Sequence, residues 1–430
     1  MRKSLIVVMM SIAIVFASTS LFAAGQHQSQ PAASAAQTAP LQVMIYKDNP
    51  GQQVPTQALI QKWAQDNHKN VQVTVSDSSV RTTAVTTALE GGTGPDILVL
   101  ADFEPYQYAK GLLDVTDLAN TIAKEDGGWY PIAKTIGDVN GTWRALPVYV
   151  YSEMLVYRKD LLQQAGVSVP KTWTEFRTAL QELKDANLGV EPFGISLARS
   201  FDGQQFLTSV IRGNGGSVVS PDGSKITFDS PQTVQALSYV IGLYKDGLIN
   251  QDALSWTDST NNQAMLAGKI AMTFNSNSIE LQAKQQFPDL YPKIGDALMP
   301  AGPQGDFSTP LTFSFAIRNS SKLQGEAENL LGYLFAHDNY AKVLTDTQGA
   351  TGVSLAGFQD LPVWSQDDNM ANLATVPTAH YLAPPSAQAS EVSNDYVIIN
   401  MVADVLNNGM TPAQAVAKAA AQMQQIYFGK

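Results

Sequence analysis

The sequence sets aromatic side chains beside short polar ones at several points. Asp102-Phe103, Tyr149 with Tyr151, Phe201-Asp202, Trp256 with Asp258, and Phe274 followed by Asn275 and Asn277 are the clearest. An aromatic face stacks on apolar C–H surface, and a neighbouring carboxylate or amide exchanges hydrogen bonds with hydroxyls at the edge of that surface. Such pairs suit a polyhydroxylated molecule. Aromatic residues more often belong to a core, and Trp256 is the best exception. Its surroundings, Ser255-Trp256-Thr257-Asp258-Ser259, offer few apolar neighbours.

Groups for covalent or metal chemistry are scarce. Cysteine is absent, which removes disulfides, thiolate nucleophiles and Cys-ligated metals. His27, His68, His337 and His380 are scattered without the spacing of one helix face, so no metal or other cofactor is expected. The phosphate loop, His-Glu-x-x-His and the Gly-x-Ser-x-Gly elbow do not occur. Gly213-Asn214-Gly215-Gly216 lacks the third glycine of a dinucleotide loop. No local motif supports a glycosidase-like carboxylate pair, so no catalytic residue is expected.

The 27 basic and 38 acidic residues leave a net charge of −11. That balance argues against nucleic acid and anionic membranes, both of which need a basic surface. Charged residues make up only 15% of the chain and hydrophobic ones 44%, as in a folded globular protein. The 430 residues allow two ordinary domains.

Positioning the aromatic and polar pairs calls for an α/β scaffold. Leu41 to Tyr46, the alternating Val71, Val73 and Val75, and Asp96 to Leu100 read as strands, with helical spacing between them. The order β-α-β-α-β implies a parallel sheet covered by helices, with ligands beyond the carboxyl ends of its strands. Asp48 and Asn49 follow the first strand and Asp102 and Phe103 the third, so both pairs belong on one rim. Residues 146–157 (LPVYVYSEMLVY) form a strand-like run long enough to cross between domains. Gly166 stops the helix that follows. Thr172-Trp173-Thr174-Glu175 reads as a capping box, and Ser230-Pro231 and Thr411-Pro412 as further helix starts.

Residues 1–24 carry a basic start, an apolar run and small residues before Ala23 and Ala24. This is the plan of a secretory signal peptide. Residues 25–40 (GQHQSQPAASAAQTAP) read as a disordered spacer.

Several segments together resemble the extracellular solute-binding proteins of ATP-driven importers, in the sugar-binding branch that includes maltose-binding protein. They are Gly94-Pro-Asp-Ile-Leu98 with Tyr108-Ala-Lys-Gly-Leu-Leu-Asp114, Ala145-Leu-Pro-Val148 continuing into Leu155-Val-Tyr-Arg-Lys-Asp-Leu-Leu162, Pro170-Lys-Thr-Trp-Thr-Glu-Phe176, Leu266-Ala-Gly-Lys-Ile-Ala-Met272 and Pro300-Ala-Gly-Pro-Gln-Gly305. The resemblance implies a two-lobed periplasmic-binding-protein fold, each lobe a mostly parallel sheet flanked by helices. By analogy the first lobe comprises 41–150 and 296–347, and the second 151–295 and 348–430. Crossings then fall near 149–151, 295–299 and 348–353.

The same resemblance implies ligand contacts at Asp48, Asn49, Asp102 and Phe103. It also places Tyr151 at a hinge position that holds a carboxylate in maltose-binding protein. After the Ala-Met strand, where a stacking indole is common, this chain has Asn275-Ser276-Asn277-Ser278. Amide hydrogen bonds are expected there, with Trp256 supplying the ring. The implied protein is a monomeric periplasmic component that closes on a carbohydrate and delivers it to the transmembrane permease subunits of an ABC importer with a cytoplasmic ATPase. The alternatives are another small solute, such as a polyol or a glycerol phosphate ester, or a secreted glycosidase-like enzyme. A phosphate ester would favour a cleft arginine, and Arg81, Arg144, Arg199 and Arg212 all lie outside the favoured loops.

Overall fold

A computed structural model describes residues 39–47, 51–305, 310–349, 352–365 and 382–429. The expected signal peptide, all but the end of the spacer, and Asp48 and Asn49 lie outside these residues. The strands are β1 Leu41–Tyr46, β2 Val71–Ser76, β3 Ile97–Ala101, β4 Asp138–Val139, β5 Thr142–Trp143, β6 Leu146–Ser152, β7 Met154–Arg158, β8 Glu191–Phe193, β9 Ile270–Asn275, β10 Ile294–Ala297 and β11 Pro310–Ile317. They form a five-stranded sheet in the order β2-β1-β3-β11-β6, a four-stranded sheet β10-β7-β9-β8, and the β4-β5 hairpin.

Each large sheet is mostly co-directional with one strand reversed. β1 is parallel to β2 and β3, whereas β11 is antiparallel to β3 and β6. In the second sheet β8 and β9 are parallel and β7 opposes β9 and β10. The reversed strands are those that the chain enters on arriving from the other sheet. A strand entered from the side where its neighbours end must run against them.

The apolar run over 146–157 is a single extended segment serving two sheets. β6 ends at Ser152, Glu153 intervenes, and β7 begins at Met154. The hydrophobic cores follow the same division. The first gathers residues such as Ile45, Val99, Tyr149, Phe315 and Leu330. The second gathers Phe176, Phe193, Phe206, Phe274 and Val402. In the second core Trp173 and these four phenylalanines interlock, with ring centroids 5.1–6.0 Å apart. Phe274 is therefore a core residue, while its neighbour Asn275 ends β9.

The described residues on either side of the crossing expected near 348–353 keep to the first core. Val353, Leu355, Phe358, Val363 and Trp364 pack in the first core. Gly352 bridges to Val150 of β6, and a Cβ there would overlap the Val150 carbonyl, so only glycine lets the segment lie so close. The chain next joins the second core at Leu382.

The polar helix starts form as their chemistry dictates. Thr172 and Ser230 accept from the amides three residues on, and Thr411 and Gln414 make a reciprocal capping box. At the first of these Glu175 reaches back to the Lys171 amide instead of the Thr172 amide.

Candidate functional site

A cavity of ≈ 870 Å³ opens where the carboxyl ends of β1 and β3 face the loops of the second sheet. Its wall takes residues from both cores. On the first side Tyr46 ends β1, Asp102 and Phe103 follow β3, and Leu311 and Phe313 begin β11. Parallel strands end on one edge, and reversed β11 starts on that same edge, so five side chains from three strands converge.

The first wall is stiff. Tyr46 stacks on Phe313 with ring centroids 3.8 Å apart, and Tyr151 meets Phe313 edge-on at 6.3 Å. The Arg81 guanidinium lies 5.8 Å over the Phe313 ring. Both of its terminal nitrogens donate to Glu104, at 2.5 and 3.1 Å, and Glu104 also accepts from the Ala101 amide. This ion pair is buried, the Arg81 side chain being 7% exposed and that of Glu104 1%. Asp102 adopts a left-handed conformation (φ 37°) that an aspartate tolerates better than most residues. Its carboxylate accepts from the amide and hydroxyl of Thr312, which locks the turn to β11.

The second wall is a web of carboxyls and amides. Phe201 and Asp202 open the helix Phe201–Gly213, which Ser200 caps. Asp202 accepts from Asn261 and Asn275. Asn275 also donates to Asn262 at 2.7 Å and accepts from Ser278 at 2.6 Å. Asp258 accepts from the Asp202 amide at 3.1 Å. Burial pushes the Asp258 carboxyl up, while the backbone amides of Asp202 and Phe201 pull it down less strongly. Glu153, at the β6–β7 crossing, is buried beside them. Burial first, then the charges of Asp202 and Asp258, hold it well above the usual carboxylate range. Trp256 packs with Val156, Met265 and Ile270 yet also lines the cavity. It donates to Asp252, which orients the ring and keeps that carboxyl below its ordinary value.

Residues 47–341 match the family of bacterial extracellular solute-binding proteins. This chain belongs to that family. A protein of Deinococcus radiodurans named as an ABC transporter-binding protein is 30% identical over 229 residues, 51% of this chain and 53% of that protein. A protein of Brucella abortus named as a binding protein is 25% identical over 295 residues, 68% of this chain and 64% of its own length. The match thus spans about half to two thirds of these relatives. The structure is similar to maltose-bound MalE3 of T. maritima, with TM-score 0.80, 22% identity and coverage of 90% and 99% of the two chains. It is also similar to a Thermotoga lettingae solute-binding protein bound to α-D-tagatose, with TM-score 0.79, 21% identity and coverage of 91% and 100%. A third likeness is to an Agrobacterium radiobacter solute-binding protein in complex with ribitol, with TM-score 0.78, 20% identity and coverage of 90% and 100%.

In this solute-binding protein Asp102, Phe103, Phe201, Asp202, Trp256 and Asn275 share the cavity wall. Phe201 belongs to a second-core helix but packs against the first core. Three expected residues stand elsewhere. Tyr149 and Tyr151 are 0% and 2% exposed and belong to the first core, as aromatic residues inside a long apolar run commonly do. Asn277 is buried at the start of the helix Ser278–Gln286. Lys47 lines the cavity next to the undescribed Asp48 and Asn49.

The wall also holds residues the sequence reading passed over. Arg81 and Arg199 line it, although the favoured loops excluded them. Arg81 sits within the helix Ser78–Gly91, where nothing in the local pattern marks it for a cleft. Glu153, buried at the β6–β7 crossing and outside the cavity lining, did carry a signal, since it is the lone acid in the run LPVYVYSEMLVY.

Proposed function

We propose that this protein captures a carbohydrate or polyol between its lobes and delivers it to the permease of an ABC importer. The observation that carries the reading is the shared wall: stacked rings stand on one side and carboxyl and amide groups on the other. A solute that touches both sides stabilises the closed arrangement over the open one, and only that difference in affinity drives closure. Rings cover the C–H faces of the solute while Asp102, Asp202 and Asn275 address its hydroxyls. A hydroxyl of the wrong configuration leaves one of these groups unpaired, at a cost of about 1–3 kcal/mol. We take the first lobe as 41–152 with 310–364 and the second as 154–299 with 382–429. The periplasm is its site of action, and the cleft binds without turnover. Bound maltose, tagatose and ribitol in proteins of similar fold support this class of solute.

Mass spectrometry of solute released on denaturing the purified protein, joined to a melting-temperature screen of sugars and polyols, tests the reading. At a hundred times its dissociation constant the solute should stabilise the fold by about 2.7 kcal/mol. It should also compact the particle in solution scattering. Release of no carbohydrate or polyol, with no response across the screen, would overturn the proposal.

A further inference from the structure

The cavity runs along one face of the helix Phe201–Gly213. Phe201, Gln205 and Thr208 all line it, and they stand at i, i+4 and i+7, a single stripe. At 1.5 Å per residue that stripe extends about 10 Å. Its two ends differ in character. At the start of the helix lies the polar web, where Asp202 accepts from Asn275, and Asn275 donates to Asn262 and accepts from Ser278. All four residues line the cavity. Past the end of the helix the Gly216 amide donates to the Ile211 carbonyl at 2.9 Å, and the chain turns back to Val218. The Val218 amide donates to the Leu382 carbonyl at 3.3 Å. Ala383 follows Leu382 and packs against Phe103 and Ala389. Val218, Leu382, Ala383, Phe103 and Ala389 all line the cavity, so its far end is a continuous apolar surface. Ser390 and Asn394, on the same helix as Ala389, are already bonded to Gln107.

We propose that the solute is a glycoside with an apolar aglycone, its sugar held by the polar web and its aglycone seated against Phe103, Leu382 and Ala383. This rests on the carbohydrate reading and narrows it from free sugars and polyols to sugar conjugates. The cavity of ≈ 870 Å³ stands near the upper end of the roughly 300–1,000 Å³ of small-molecule sites, with room for more than one sugar ring. A sugar carries hydroxyls all round its edge. Each one buried against side chains that offer no polar partner loses its bonds to water without replacement. A second sugar ring would meet that cost at the far end. An aromatic or aliphatic group meets none and gains by leaving water.

The test is calorimetric titration of the full chain with matched series built on glucose and galactose in both anomers. Each series holds a methyl glycoside, a 4-nitrophenyl glycoside and a disaccharide: maltose, cellobiose, melibiose or lactose. In at least one series the 4-nitrophenyl member should bind about tenfold more tightly than the methyl member, which burial of about 60 Å² of ring surface supplies. It should also bind more tightly than the disaccharide and with a more negative heat-capacity change than the methyl member. Ala383→Phe places a ring in the far end, so the ratio of aryl to methyl affinity should fall towards one. Equal or weaker binding of the aryl members beside methyl glycosides or disaccharides that do bind overturns this inference and leaves the carbohydrate reading standing. Silence of every member overturns this inference and counts against the carbohydrate reading as well. An Ala383→Phe protein that keeps the ratio also overturns it, and if that variant does not fold, the wild-type series and their heat-capacity changes decide.

Discussion

The two walls of the cleft bury charge in opposite ways. The first pairs it: Arg81 and Glu104 neutralise one another, and Phe313, stacked on Tyr46, covers the guanidinium. The second gathers like charges: Asp258 accepts from the Asp202 amide, Glu153 buried nearby feels both, and burial keeps Glu153 and Asp258 from ionising as readily as they would in water. A paired wall is finished before any solute arrives. The second wall instead spreads its charge over side-chain amides, Asp202 accepting from Asn261 and Asn275.

Removing one partner of the buried pair gives the largest expected effect. Glu104→Ala leaves the Arg81 charge buried and the Ala101 amide without its acceptor. The loss should be about 3–5 kcal/mol in urea unfolding. Replacing both, as Arg81→Met with Glu104→Leu, should recover most of it, because no lone charge then remains. If the single and double variants unfold alike, the first wall is not held by charge pairing and the contrast with the second fails.

Asp102 comes next. Asp102→Ala loses both bonds to Thr312 while keeping a Cβ in the left-handed turn. The unpaired Thr312 amide and hydroxyl should cost about 1–3 kcal/mol. Asp102→Gly should return the strain and not the bonds, so its unfolding midpoint should fall between wild type and alanine. Equal midpoints for the two variants would show that the turn stores no strain.

How much of this was legible without coordinates depends on what set each position. Asp102 and Phe103 were readable because three parallel strands must end on one edge, which strand order alone implies. The crossing at 146–157 was readable because no single sheet of ordinary strands needs so long an apolar run. Arg81 was not, because its place on the wall is set by how a helix docks on the sheet, and helical spacing does not report that. Tyr149 and Tyr151 were misplaced for the converse reason: an aromatic residue suits a core and a cleft equally, and only packing separates them. Asn275 and Asn277 show the margin involved. They are two residues apart, yet one ends a strand on the wall and the other starts a helix beneath it.

Glu153 sharpens the contrast through pH. Burial and two acidic neighbours raise its folded pKa above its unfolded value. The folded state therefore binds the proton more tightly than the unfolded state does. Stability is greatest at low pH and falls as pH rises through the folded pKa, other groups aside. Glu153→Gln keeps the neutral form at every pH, so the variant should lose less stability than wild type between acid and neutral solution. Parallel curves for the two proteins would mean that neither burial nor the acidic neighbours disfavour the Glu153 charge.

The smallest effect belongs to the contact that joins the walls. Gln107, on the short helix after β3, accepts from Ser390 at 2.8 Å and from Asn394 at 3.2 Å, both on the helix Ala387–Asn394 that packs with the second core. If this bridge forms only when the lobes approach, it favours the closed state, and Gln107→Ala should weaken the solute by at most about tenfold, the worth of one or two net hydrogen bonds. If it forms in both states, the variant should lose a little stability and no affinity, because a contact common to open and closed forms cannot bias between them. Titration and unfolding of the same variant separate these outcomes. The first would make Gln107 part of the closing mechanism, and the second would leave closure to the solute and the two walls it touches.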